Sequence, residues 1–135
     1  MAAPMANTAA KAAKWVMALV RQAAVPFAKT LQDHFSHATI TALCECGCNS
    51  FQCEVQERPG LTPLFEVAPV ENACVELVFA SDVGDPITMI VHTDPRGLLA
   101  GMDVFLGSFQ EPVPDDASIG DLLFISATRA RADRR

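Results

Sequence analysis

The chain has 135 residues, half of them hydrophobic, and a formal net charge of −6. This length suits a single domain with its own core, and the composition excludes a wholly disordered chain. No membrane span is predicted, because the nearest candidate, Trp15 to Val20, is short and is followed by Arg21.

Charge is distributed unevenly along the chain. Residues 1–32 carry +4, residues 33–127 carry −13 and residues 128–135 carry +3. An acidic body repels nucleic acid and attracts basic partners, so direct nucleic-acid binding is not expected. The charge could also serve solubility alone, so charge by itself does not distinguish a surface for basic partners from a soluble surface.

The N-terminal segment is basic, rich in Ala and free of acid, as transit peptides are, but we interpret it as a helix of the mature protein. The five cysteines are an odd number, which does not favour an extracellular disulfide framework. We therefore predict a cytoplasmic protein with mostly free thiols.

A helical region is predicted after Thr8, which can cap its first turn. Apolar residues recur at every fourth position and should form one buried stripe: Trp15, Leu19, Ala23, Phe27, Leu31 and Phe35. Pro26 interrupts this stripe, which leaves either one kinked helix or two helices. Two helices are favoured, because the residue before a proline tends to leave the helical conformation.

Strand-like segments follow, bounded by turn residues. They are His37 to Leu43, Phe51 to Val55, Ala73 to Ser81, Ile87 to His92 and Leu98 to Phe109, with Leu64 to Val67 as a short edge candidate. Ile119 to Ala127 fits a short helix or a strand. The predicted fold is α+β, a helix or helix pair packed on a mainly antiparallel meander sheet of about five strands. Residues 1–135 form one domain, with loose ends at about 1–7 and 128–135.

Four of the five cysteines lie within ten residues: Cys44, Cys46, Cys48 and Cys53. If residues 47–50 form the loop of a hairpin, Cys46 faces Phe51 and Cys44 faces Cys53. Zinc is one interpretation of the cluster, although the spacing is not that of a Cys-x-x-Cys knuckle. A nucleophilic or redox cysteine is a second, without a visible base. Packing of small apolar side chains is the third and the favoured one.

The run from Ala42 to Phe51 resembles a Cys-x-Cys-Gly-Cys-x-Ser/Thr hairpin found in small bacterial proteins. In those proteins a helix precedes the hairpin, and a meander with an acidic, proline-containing segment follows it. Residues 26–116 are similar to this arrangement, with the turn at residues 94–97 and the acidic segment at 111–116. Some members resemble immunity proteins of contact-dependent inhibition and related toxin systems. The resemblance implies a protein that neutralises a bacterial toxin.

The acidic body fits that implication, because many such toxins are nucleases with basic surfaces. The candidate contact residues are carboxylates in predicted loops: Asp82, Asp85, Asp94, Asp103, Glu111, Asp115, Asp116 and Asp121. The sequence shows no phosphate loop, Ser-His-Asp set or spaced carboxylate pair, so we predict a binding protein and no enzyme. A zinc-binding module that uses the four clustered cysteines is the alternative function.

Overall fold

The computed structural model of the chain describes residues 8–43, 49–64, 73–107 and 112–129. Two helices come first, α1 (Ala9–Val20) and α2 (Ala28–Ser36). The strands are β1 (Ala38–Leu43), β2 (Phe51–Val55), β3 (Ala73–Ser81), β4 (Ile87–Thr93), β5 (Leu99–Leu106) and β6 (Ile119–Arg129). The predicted α+β class is confirmed, with six strands in the described ranges instead of about five.

The two helices confirm the predicted break at Pro26. Thr8 caps α1, because its side chain accepts a hydrogen bond from the Lys11 backbone N–H. The chain leaves the helical conformation after Val20, and α2 begins two residues beyond Pro26. Most of the predicted stripe is buried, namely Trp15, Leu19, Phe27 and Leu31, while Phe35 is half-buried and Ala23 is exposed in the connection.

The strands form one antiparallel sheet in the order β1-β2-β5-β4-β3-β6. The predicted meander is therefore the β3-β4-β5 part, and the β1–β2 hairpin joins it through β5. One face, which we call the covered face, shares its core with both helices; its buried residues include Val75, Leu77, Phe79, Met89, Val91, Met102 and Val104. The opposite face, the open face, carries the residues between them in sequence.

Strand β6 corrects the prediction for the C-terminal part of the chain. The expected loose end at residues 128–135 begins too early, because Thr128 lies opposite Cys74 and Arg129 opposite Ala73. The sequence of residues 119–127 fits a helix or a strand because its side chains do not alternate regularly. The structure shows the reason, since β6 shifts register twice against β3. The predicted loose end at residues 1–7 and residues 65–67 of the predicted edge strand lie outside the described ranges.

The structure also bears on the membrane prediction. None of the helices in the described residues is long and apolar enough to span a bilayer.

A buried histidine connects α2 to the sheet. The Leu99 backbone N–H donates to Nδ1 of His34 at 3.1 Å, so Nε2 carries the proton and donates to the Thr62 carbonyl at 2.7 Å. The ring is fully buried, and burial lowers the pKa of His34 below its ordinary value of 6.5. The neutral tautomer is thus the one the fold requires.

The fold should lose stability in mild acid through His34. Because its pKa is lowered in the folded state, the unfolded chain binds a proton first as the pH falls through 6.5. The free energy of unfolding should therefore be highest above pH 6.5 and decrease below it. Denaturant titrations from pH 8 to pH 5 measure this decrease, and His34→Gln should be less stable overall with a flatter profile. An equally steep decrease in His34→Gln would assign the effect to other groups.

Candidate functional site

The cysteine hairpin differs from its predicted register. Leu43 lies opposite Phe51, and Ile40 lies opposite Cys53. The predicted pairing of Cys46 with Phe51 and of Cys44 with Cys53 is therefore wrong. The cause is the length of the connection, which spans residues 44–50 instead of the four residues expected. Cys44, Cys46 and Cys48 lie outside the described residues.

Cys53 packs in the core, as the structural interpretation of the cysteines expected. It is 6% exposed, and its Sγ donates to the Leu99 carbonyl oxygen at 3.6 Å. Burial raises the pKa of the Cys53 thiol from 9.0 to about 12. Within the described ranges, no three His, Cys, Asp or Glu residues lie close enough to hold a metal ion. A zinc site that includes Cys53 would require this thiol to leave the core.

Cys53 should react slowly with alkylating reagents in the folded protein. Cys74 is only half-buried and provides the internal comparison. At pH 8 we expect iodoacetamide to modify Cys53 at least about 100-fold more slowly than Cys74, since the thiolate is the nucleophile. Peptide mass spectrometry measures both rates, and unfolding in urea should make them similar. Equal rates in the native protein would show that Cys53 is not buried.

Several of the predicted contact carboxylates are occupied within the protein. Asp115 pairs with Lys11 at 2.7 Å, and Asp82 Oδ1 accepts from the Ser118 backbone N–H at 2.8 Å. Both contacts fasten the segment 112–118 to the body. Asp94 Oδ1 likewise accepts from the backbone of its own turn, at Arg96 and Leu98. These three side chains shape loops and are poorly placed to serve a partner as well.

The remaining predicted acids do not form one loop surface. Asp85, Asp116 and Asp121 are exposed on three different segments. Glu111 lies outside the described residues. Asp121 lies inside β6 and Asp103 inside β5, so neither is in a loop, and Asp103 lies on the open face.

The open face contains a groove where β2 meets β5, which we call the Gly101 groove. Its volume is about 580 Å³, and its lining includes Thr41, Gln52, Glu54, His92, Ala100, Gly101 and Asp103. A smaller depression of about 190 Å³ adjoins it and shares Gln52 and Asp103. The combined site lies within the size range of small-ligand pockets.

The groove exists because Gly101 has no side chain. β2 passes so close to β5 that a Cβ at residue 101 would lie 2.5 Å from the Phe51 carbonyl oxygen and 3.2 Å from the Gln52 Cα. Only glycine permits this approach, and the missing side chain leaves backbone as the floor of the groove.

Substituting Gly101 should separate the two strands. Gly101→Ala places a methyl group against backbone that cannot rotate away, so we expect a loss of about 1–3 kcal/mol in the free energy of unfolding. Gly120→Ala is the matched control, because a Cβ there meets its nearest atom at an ordinary 3.7 Å. Chemical denaturation compares the two variants. A loss no larger for Gly101→Ala than for Gly120→Ala would contradict the close approach.

A hydrogen-bonded pair forms one wall of the groove. His92 Nε2 lies 2.8 Å from Asp103 Oδ2, and the two side chains are 40% and 44% exposed. The His92 hydrogen bond, with a smaller contribution from Ser50, lowers the pKa of Asp103 despite partial burial. Asp103 therefore stays ionised and fixed in position. In a Ser-His-Asp triad the histidine lies between the other two residues, whereas here the carboxylate does.

The sequence singled out Asp103 but did not predict this pairing. His92 and Gly101 lie opposite each other on β4 and β5, and Asp103 is the diagonal neighbour of His92. The turn at residues 94–97 indicates the hairpin, but Ala100 is an extra residue in β5 that shifts the register. A register predicted from the turn alone omits this shift and therefore does not place Asp103 beside His92.

Acidic and apolar side chains lie next to each other on the open face. Glu76 and Asp103 flank Ile90, and Glu54 projects from β2 beside the groove. An adjacent row crosses four strands, with successive members opposite one another: Phe105, Thr88, Val78 and Phe124. Phe124 is 52% exposed, and the preceding residue in sequence, Leu123, is 60% exposed. The face thus offers apolar contact area bordered by carboxylates.

Comparison of the chain with protein-family models, with curated proteins and with solved structures finds no match. The resemblance of the cysteine hairpin to immunity proteins stays a prediction. The function must therefore be argued from the residues themselves.

Proposed function

We propose that this chain is a non-catalytic, cytoplasmic inhibitor that binds a basic bacterial toxin, such as a nuclease, through the open face of its sheet. The observation that carries the proposal is the combination on one surface of three carboxylates, Glu54, Glu76 and Asp103, with an apolar row. Protein interfaces combine these two features, apolar area for affinity and charge for orientation.

The apolar row is the source of affinity in this proposal. An exposed phenylalanine beside half-buried aliphatic and aromatic side chains is an unusual arrangement for a surface exposed to water. Large apolar side chains at the centre of an interface commonly dominate its binding energy. Phe124 and Phe105 are the candidates for this role.

In this proposal the carboxylates increase the rate of association and select for basic partners. Residues 33–127 carry a net charge of −13, so this part of the chain attracts a basic protein over about a Debye length, roughly 8 Å at physiological salt. A nuclease presents basic side chains to its polyanionic substrate. An acidic face seated on those side chains would occupy the substrate site.

Three cations of the described residues make contacts other than with Glu54 and Glu76. Lys14 donates to the carbonyl oxygens of Asp115 and Ala117, while Arg96 pairs with Asp94 and Glu57. Arg58 donates to His37. These three side chains are thus engaged with loop carbonyl groups, Asp94, Glu57 and His37, and not with Glu54 or Glu76.

Removing two carboxylates should weaken toxin binding. We expect the Glu54→Gln, Glu76→Gln double variant to bind the toxin encoded beside its gene about tenfold more weakly, since each exposed pair contributes roughly 0.5–1 kcal/mol. Isothermal titration calorimetry at about 0.05 and about 0.5 M salt should show a steep loss of affinity for the native chain and a shallower one for the variant.

The matched control is Asp116→Asn, which removes an exposed carboxylate from the segment that packs against α1. Its affinity and salt dependence should match those of the native chain. Affinity that does not change with salt, or equal losses in the control and the double variant, would contradict binding through the open face.

A further inference from the structure

The Gly101 groove has a shape that suits a flat, hydrogen-bonding group. Its floor includes the backbone of Gly101, where β5 has no side chain above the sheet. Its walls carry hydrogen-bond acceptors, with Glu54 on β2 and Asp103 on β5. Gln52 and Thr41 add further polar groups. A planar ligand can lie on such a floor while its edges reach the walls.

We propose that the Gly101 groove receives an arginine side chain of the basic partner, with the guanidinium bound by Asp103 and Glu54. This inference rests on the proposed function and specifies where its main charged contact is made. The guanidinium is planar and presents five N–H donors in a fixed fork, which matches carboxylates on two sides of a flat floor. The ammonium of lysine is a strongly hydrated point charge and uses this geometry less well.

Asp103 is prepared for this contact before a partner arrives. Its hydrogen bonds with His92 and Ser50 hold the carboxylate in place and ionised. A carboxylate has about four lone-pair positions, so two such bonds leave capacity for a guanidinium. Because the side chain is already ordered, less conformational entropy is lost on binding.

The groove can also hold the length of an arginine side chain. A volume of about 580 Å³ exceeds that of a single guanidinium, so the aliphatic carbons can enter with it. Ala100 and Gly101 offer small, uncharged contact surface for those carbons. The depression beside Ser50 continues the groove and leaves room for the backbone of the partner.

The test uses a small probe and no toxin. N-acetylarginine amide is titrated into the full chain at low ionic strength, with backbone amide shifts followed by NMR. We expect saturable shifts at Gly101, Gln52 and Asp103, with a dissociation constant in the millimolar range. N-acetyllysine amide should bind at least about threefold more weakly.

Two groove variants and one control complete the experiment. Asp103→Asn should abolish saturation by the arginine probe, and Glu54→Gln should weaken it about threefold. Glu54→Gln is informative even if Asp103→Asn disturbs the fold, because Glu54 is exposed. Asp116→Asn, which removes an exposed carboxylate that does not line the groove, should leave the affinity for the probe unchanged.

Absence of saturable shifts, equal affinity for the lysine probe, or an effect of Asp116→Asn as large as that of Glu54→Gln would overturn the inference. The arginines of residues 130–135 are a rival occupant. Probe binding that becomes about tenfold tighter in a chain ending at Arg129 would assign the groove to them and overturn the partner as occupant. Because these assays contain no toxin, their failure would leave the toxin-binding proposal standing on its own calorimetric test.

Discussion

The close approach of β2 to β5 at Gly101 is the constraint on which the rest of the structure depends. It joins the β1–β2 hairpin to the strands that follow, and its ladder is short, pairing Phe51 with Met102 and Gln52 with Gly101. The absent Cβ permits the contact between strands on one side and forms the groove on the other. The contact between β2 and β5 and the candidate site therefore both depend on Gly101.

Near Gly101, the backbone of Leu99 is held by side-chain hydrogen bonds. The ladder between β2 and β5 ends at Gln52 and Gly101, two residues short of Leu99. Side chains supply the missing partners, since His34 accepts from the Leu99 N–H and Cys53 donates to the Leu99 carbonyl. A buried histidine and a buried thiol thus have structural roles at the base of the site. Both would be easy to mistake for catalytic groups from sequence alone.

Local sequence patterns were sufficient to predict most of the secondary-structure elements. The bounds of β2 and β3 agree with the predicted segments. In β2, apolar residues alternate with polar ones. The break near Pro26 follows from the chemistry of proline. The hairpin register did not follow, because the length of the 44–50 connection is not encoded in any turn signal that the sequence displays. β6 was also ambiguous, since an edge strand with shifted register lacks a clear period.

The site was harder to predict than the fold, since it depends on contacts across strands. Carboxylates in loops attracted attention by composition, yet Asp82, Asp94 and Asp115 stabilise loops of the protein itself. Asp103 becomes distinctive only when the β4–β5 register places it beside His92. Net charge can be counted from the sequence, whereas the surface on which each carboxylate lies depends on strand register.

Strand β6 combines an exposed apolar run with an irregular edge. It lies at the edge of the sheet and has three consecutive exposed residues, Leu123, Phe124 and Ile125. A regular edge strand with such residues would readily pair with a strand of another molecule. The two register shifts against β3 interrupt the even spacing of its outward backbone groups. A strand from another molecule therefore cannot align its hydrogen bonds along the full length of β6. Bulges of this kind are one of the ways in which edge strands limit edge-to-edge pairing.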